Sequence, residues 1–177
     1  MANKPYSGKF TKLKNPKKYV GDPNNIRYLS LWEKNAFIWC DECPDIIEWA
    51  SEEVVIPYVK PTTGKRARYF PDLYIKFASG AQHIIEIKPD NQTRPPEEPK
   101  RKTKRYMNEV ATYAVNAEKW KAAQGVAQRN NLVFEVWTEH TLNSLGIATS
   151  ATPTEKKLKA RGKKPVMKNI RKPTRKS

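Results

Sequence analysis

Several things are missing from this 177-residue chain, and each absence closes a class of function. No apolar run approaches the length of a membrane span. The opening residues, MANKPYSGKF, contain no apolar signal-peptide core, so an intracellular protein without a membrane partner is expected. Cysteine is scarce: Cys40 and Cys43 form one C-D-E-C pair, and the only histidines, His83 and His140, stand far along the chain. A structural zinc site needs four ligands, so the cysteines are expected to pack a helix end. The glycines form neither a Walker loop nor a dinucleotide fingerprint, and no small-molecule cofactor is expected. No internal repeat is visible.

Acid is also scarce, but only at the two ends. Residues 151–177 hold eleven Lys or Arg against Glu155 alone, and residues 1–22 hold six Lys against Asp22. The middle of the chain, 23–150, is nearly neutral, with 17 basic and 16 acidic residues. This pattern predicts a basic N-terminal arm over 1–24, a folded domain over 25–147 and a basic C-terminal tail over 148–177. Clustered cations of this kind are a footprint for a polyanion, and a solvated, disordered tail has the same composition. If about half the tail cations reach phosphates, affinity for DNA should fall with salt at a log–log slope of about −5.

Within the domain, residues 25–41 show apolar positions at helical spacing: Leu29, Trp32, Ala36, Trp39 and Cys40. Asn25 is the expected cap, and Pro44 lies beyond the end. Glu33 flanks the stripe. Residues 54–59 (VVIPYV) read as a strand whose Pro57 places it at an edge or bulge. A turn at 61–64 leads to Lys65, Arg66 and Arg68. Residues 89–103 have four prolines and no apolar side chain, a long loop and a candidate flap. A second helix is expected over 104–128, with Tyr106, Val110, Tyr113, Ala117, Trp120 and Gln124 on one face. Asn116, Lys119 and Lys121 are possible ligand contacts on it. A strand over 132–138 and a short helix over 139–145 follow, and packing is expected to end by Ala148.

The chemistry concentrates in 68–89, RYFPDLYIKFASGAQHIIEIKP. Two β-rich runs, 69–77 and 81–88, flank Ala78, Ser79 and Gly80. A three-residue hairpin loop uses left-handed backbone at its third position, which Gly80 adopts without steric cost. That loop sets Phe77 opposite Ala81, and counting back sets Asp72 opposite Glu86. Opposed residues share a face, so the carboxylates stand side by side, with Lys88 on the same face and His83, Ile85 and Ile87 on the other. A two-residue loop would slip the register and part them. Carboxylates about 4 Å apart repel by roughly 4 kcal/mol at an effective dielectric near 20. A divalent ion relieves such a pair, as does a shared proton, and Mg²⁺ is suited to one or two carboxylates with retained waters.

Pro71-Asp72 and Glu86-Ile87-Lys88, with Glu33 on the preceding helix, resemble the signature of the PD-(D/E)xK nuclease superfamily. YSGKF, WEK, VIPY, RYFPDLY, IEIKP, KRYMNE and YAVNAEKWKAAQ, in that order over about 6–147, resemble the head completion nucleases of T-even-type myophages. The same core is similar to the endonuclease domain of heteromeric transposase A-subunits. The resemblance implies an α/β, restriction-endonuclease-like fold, a mixed β-sheet flanked by helices. It implies Mg²⁺-dependent, weakly sequence-specific hydrolysis of double-stranded DNA, with Mn²⁺ able to substitute. Asp72, Glu86 and the Ile87 carbonyl are then metal ligands, and Lys88 orients water and stabilises the phosphate oxygens. Glu33 binds a second metal or orients Lys88, and Lys65, Arg66, Arg68, Lys104, Arg105 and Lys119 hold DNA. Phage portal and neck proteins are the implied partners, in the host cytoplasm during assembly, with retention in the virion head–neck region open. Two other functions fit the same residues: a non-catalytic neck or DNA-binding assembly protein, and a transposase-type endonuclease subunit.

Overall fold

The lysine-rich opening supplies core side chains rather than a loose arm. The computed structural model describes residues 6–11 and 13–150; the tail 151–177, with its expected role, lies outside the described residues. β1 (Gly8–Lys9) pairs antiparallel with β2 (Arg27–Tyr28). Between them, Phe10 and Tyr19 are buried edge-on against Trp49, the largest fully buried side chain. The backbone N–H groups of Lys14 and Asn15 donate to the buried Asp41 carboxylate, at 2.7 and 3.1 Å. A buried acid must be hydrogen-bonded, and here its donors come from the segment that composition alone marks as an arm.

α1 (Leu31–Glu42) starts later than its apolar spacing predicts. Ser30, not Asn25, is the cap: its hydroxyl accepts the Glu33 N–H at 3.1 Å. The stripe shifts accordingly. Leu29 is exposed, whereas Leu31, Ala36, Phe37 and Cys40 are buried. Cys40 is a buried free thiol and Cys43 caps the C-terminus, so both cysteines pack the helix end as expected.

β3 (Ile46–Ala50) follows, then a two-stranded ribbon of β4 (Ile56–Val59) and β5 (Arg66–Tyr69), then β6 (Leu73–Phe77) and β7 (Gln82–Ile87). The run 69–77 is therefore not one strand: it breaks at Phe70-Pro71-Asp72, where proline cannot donate to a ladder. α2 (Lys104–Arg129) crosses from β7 to the parallel strand β8 (Val133–Trp137), and α3 (Glu139–Ser144) closes the domain. The main sheet has the order β3-β6-β7-β8, mixed because α2 makes the long crossover that parallel pairing requires. This is the expected α/β architecture, a mixed sheet flanked by helices.

β7 is buried on both faces at Ile84, Ile85, Glu86 and Ile87, as a near-continuous apolar run between helical layers should be. Odd-numbered Leu73, Ile75, Ile85 and Ile87 join Trp49, Phe37 and Trp137 in the main core on the α1 side. Even-numbered Ile84 turns to the other face, which α2 covers. There a smaller cluster of Ile56, Tyr69 and Ala123 packs with Val126 and Phe134. The buried positions of α2 are Asn116, Ala123 and Ala127. The apolar stripe read through Tyr113, Trp120 and Gln124 is thus rotated from the true contact face, and Gln124 is exposed. Small alanines face the ribbon because the two backbones approach closely there. Packing also continues past 147: the carbonyls of Ala148 and Thr149 accept from Asn35 Nδ2 and Trp32 Nε1, at 2.7 and 2.8 Å. Among the described residues, no helix is long and apolar enough to cross a membrane.

Candidate active site

The hairpin loop sets the site. Gly80 has φ +89°, its N–H bonds to the Phe77 carbonyl at 2.9 Å, and the Phe77 N–H bonds to the Ala81 carbonyl at 2.9 Å. This is the three-residue loop, and the ladder continues through Ile75↔His83 to Leu73↔Ile85. One step further places Asp72 level with Glu86, as the turn chemistry predicts. Asp72 stands just before β6 and keeps the strand's register, and its carboxyl, in place of a backbone carbonyl, meets the Ile87 N–H of β7.

Hydrogen bonds and one ion pair then hold the side chains of the site in place. Asp72 Oδ2 accepts the Ile87 N–H at 2.7 Å, and Glu86 Oε1 pairs with Lys88 Nζ at 2.9 Å. The second Glu86 oxygen accepts the Tyr69 hydroxyl at 2.7 Å. Glu86 itself is 4% exposed, a carboxyl deep in the sheet with both oxygens engaged. Burial first, and then the neighbouring Glu86 charge, hold the Asp72 carboxyl well above the usual carboxylate range; Lys88 and the Ile87 N–H act against that rise.

Lys88 shows the opposite balance. Burial pulls its ammonium down, but Glu86, Asp72 and the bond to Glu86 together push it above an ordinary lysine. It is therefore protonated at neutral pH and carries only donors. Lys88 can stabilise anionic oxygen, but it cannot take a proton from water.

Glu33 sits nearby in charge but is bonded elsewhere. Its Oε1 accepts the Ser30 hydroxyl at 2.9 Å and its Oε2 accepts the Leu29 N–H at 2.7 Å. This is a capping arrangement, and Ser30-Leu-Trp-Glu33 is its sequence signature. The carboxylate also complements the helix N-terminus. Its charge still raises both Asp72 and Lys88. Replacing Glu33 with alanine should cost about 0.3–1.5 kcal/mol in urea unfolding whatever its part in chemistry. No loss of stability would leave the cap without a role.

Two further residues escape sequence reasoning. Tyr69 is one: it is buried, and burial and Glu86 push its hydroxyl far above the ordinary tyrosine range. It remains a fixed donor to Glu86. Lys119 Nζ lies over the Tyr69 ring at 5.4 Å and the Tyr58 ring at 6.0 Å, so this expected DNA contact is engaged with the aromatic wall behind the site. Tyr69→Phe removes the donor but keeps the ring. A change in an outer-shell partner of this kind typically costs 10–100-fold, so cleavage should fall by about that factor with the fold intact.

Glu52 is the other. It lies two residues past Ala50, which pairs with Tyr74, just as Asp72 lies two before Tyr74. It adopts left-handed backbone, φ 55°, a strained conformation for glutamate. Burial first, then Glu33 and Glu86, raise its carboxyl. No pattern in the sequence signals Glu52, because its neighbourhood depends on β3 pairing with β6. Four carboxyls thus share one electrostatic neighbourhood with one lysine.

The remaining basic candidates divide. Lys65, Arg66 and Arg68 are exposed on the ribbon that ends at Tyr69. Lys104 is exposed at the start of α2, and Arg105 pairs with Glu109 at 2.8 Å; neither bonds to a site residue. The expected flap is anchored at its root: the Asp90 N–H donates to Glu139 Oε2 at 2.8 Å.

The donor set accommodates a hard divalent cation. Among the described residues, no three His, Cys, Asp or Glu side chains form an all-protein cage. Two adjacent carboxyls do meet the need of an ion such as Mg²⁺, which keeps several waters. Ile87 fits the third place. The Lys88 N–H bonds to Trp137 across β8, so the alternate residue Ile87 turns its backbone groups toward β6, and its N–H is found on Asp72. The carbonyl of the same extended residue lies on that side as well.

Comparison with known proteins bears on this geometry. Residues 43–139 match the family described as TnsA-like endonuclease N terminal. That span includes Glu52, Tyr69, Asp72, Glu86 and Lys88 but not Glu33. Over 145 residues, 80% of this chain and 96% of the relative, the sequence is 48% identical to the head completion nuclease of Enterobacteria phage T4.

Proposed function

Because this chain belongs to the TnsA-like endonuclease N-terminal family, we propose that it is a divalent-metal-dependent DNA endonuclease acting in phage head completion. The observation that carries this reading is the register-opposed pair of half-buried Asp72 and buried Glu86, with the Lys88 ammonium bonded to Glu86. Asp72, Glu86 and the Ile87 carbonyl would hold Mg²⁺, or Mn²⁺ in its place. Such an ion, when bound, lowers the pKa of its water and neutralises charge on the scissile phosphate.

The protein residues do the rest. The Ile87 N–H and the Tyr69 hydroxyl fix the two carboxyls in place before substrate arrives, which removes reorganisation from the reaction. Lys88 donates to the phosphate oxygens as charge builds there. Duplex DNA is held through its backbone, which gives little sequence preference. The proposed place of action is the host cytoplasm, on DNA at the portal or neck of an unfinished head; the likeness to a head completion nuclease supports this reading.

The test is supercoiled plasmid incubated with the full chain in Mg²⁺, Mn²⁺ or EDTA. Nicked or linear product in either metal, and none in EDTA, is expected. DNA bound but uncut in both metals would convert the protein into a non-catalytic assembly factor. Equal cutting in EDTA would remove the metal.

A further inference from the structure

Between Val54 and Pro71 the chain carries Lys60, Lys65, Arg66 and Arg68 and no acid. This stretch forms the β4–β5 ribbon, a sheet separate from the main one. Its register, Ile56↔Tyr69, Pro57↔Arg68, Tyr58↔Ala67 and Val59↔Arg66, sorts the side chains strictly by face. Ile56, Tyr58 and Tyr69 turn inward onto α2. Pro57, Val59, Arg66 and Arg68 turn outward and are all exposed.

The outward face is unusual in two ways. Among the described residues, none of the ribbon's four cations has a carboxylate partner. Beside the arginines stand bare apolar groups: Val59 is 53% exposed, and Phe70, next to the Arg68 guanidinium at 5.8 Å, is 38% exposed. Lysines alone would keep an edge strand soluble. Exposed valine and phenylalanine beside unpaired arginines work against solubility, so this face is built to be covered.

The ribbon's root lies at the active site, since Tyr69 at the end of β5 bonds Glu86 and Asp72 follows three residues later. Arg66 and Arg68 are separated by about 6.6–6.8 Å along one side of the strand, and Lys65 lies about 13 Å from Tyr69. A two-stranded ribbon is one of the two protein elements that the major groove, about 12 Å wide, admits.

We propose that the outer face of the β4–β5 ribbon enters the major groove of duplex DNA beside the scissile phosphate. Arg66 and Arg68 contact the phosphates that line the groove, while Pro57 and Val59 cover sugar edges, so the grip carries little sequence preference. Lys104 and Arg105 are not part of this contact. The proposal rests on the nuclease reading but adds to it the element that grips DNA and the groove it uses.

The experiment measures binding of the full chain to a short fluorescent duplex in Ca²⁺ across a salt series, with plasmid cleavage in Mg²⁺ run in parallel. The Arg66→Ala/Arg68→Ala variant, altered only at exposed positions, should keep the wild-type melting temperature. It should bind at least about tenfold more weakly, with a salt slope shallower by about 2. Methyl green, a major-groove ligand, should compete with the wild type, and distamycin, a minor-groove ligand, should not. Wild-type affinity and slope in the double variant, with cleavage intact, would overturn the ribbon contact and leave the nuclease standing. Competition by distamycin alone would overturn the choice of groove. A wild type that neither binds nor cuts DNA would overturn both.

Discussion

Asp72→Asn should cripple DNA cleavage and, in the same molecule, make the metal-free protein more stable. Asparagine keeps an oxygen that can accept the Ile87 N–H, so the strand end is preserved. It removes the charge that burial and Glu86 oppose. The folded pKa of Asp72 lies above its ordinary 3.8, so the native state holds more protons than the unfolded chain across that interval. Stability without metal therefore falls as pH rises from about 4 through the raised value, and the variant escapes that loss. Each kcal/mol gained should appear as about 2–4 °C in melting temperature for a domain of this size. With EDTA, the variant should melt above wild type at pH 7 and the gap should close toward pH 4.

Adding Mg²⁺ should reverse the order. Wild type gains stability by binding, about 2.7 kcal/mol at a hundred times Kd, while the variant gains little. Cleavage should drop by roughly 10²–10³-fold or more, the equivalent of several kcal/mol of charge stabilisation at the phosphate. A variant that melts lower than wild type in EDTA, or one that still cuts plasmid at the wild-type rate, would remove Asp72 from the site.

Phe10→Ala should be strongly destabilising although it lies far from the site in sequence and outside its chemistry. Phe10 lies edge-on to Phe37 at 5.8 Å and to Trp49 at 6.2 Å, and is 5% exposed. Truncating a buried phenylalanine typically costs about 3–5 kcal/mol, against a total of about 5–15 for a domain. The expected result is a fall of about 10 °C in melting temperature. A change below about 1 kcal/mol in urea unfolding would return residues 1–24 to the status of an arm.

These two sites differ in how visible they were in the chain. Asp72 and Glu86 could be paired because a loop of known length, with glycine at its third position, fixes register locally. Glu33 was half visible: S-L-W-E announces a capping box, which the helical stripe obscured. Phe10 and Tyr19 were hidden because charge composition reports on neighbours in sequence, whereas their burial depends on Trp49, some thirty or more residues away. The face of α2 was misread for a related reason. Close approach of the ribbon favours alanine there, and large aromatic residues fall to the sides of the contact.

By itself the sequence determined whatever depends on short-range covalent geometry: the hairpin register and the alternation that puts both carboxyls and Lys88 on one face. Only the tertiary structure decided what surrounds them. Tyr69 on Glu86, Glu52 within reach of the Glu33 and Glu86 charges, and Phe10 against Trp49 each need two distant segments to meet. Local spacing cannot specify such meetings, because they are selected by burial and pairing across the whole fold.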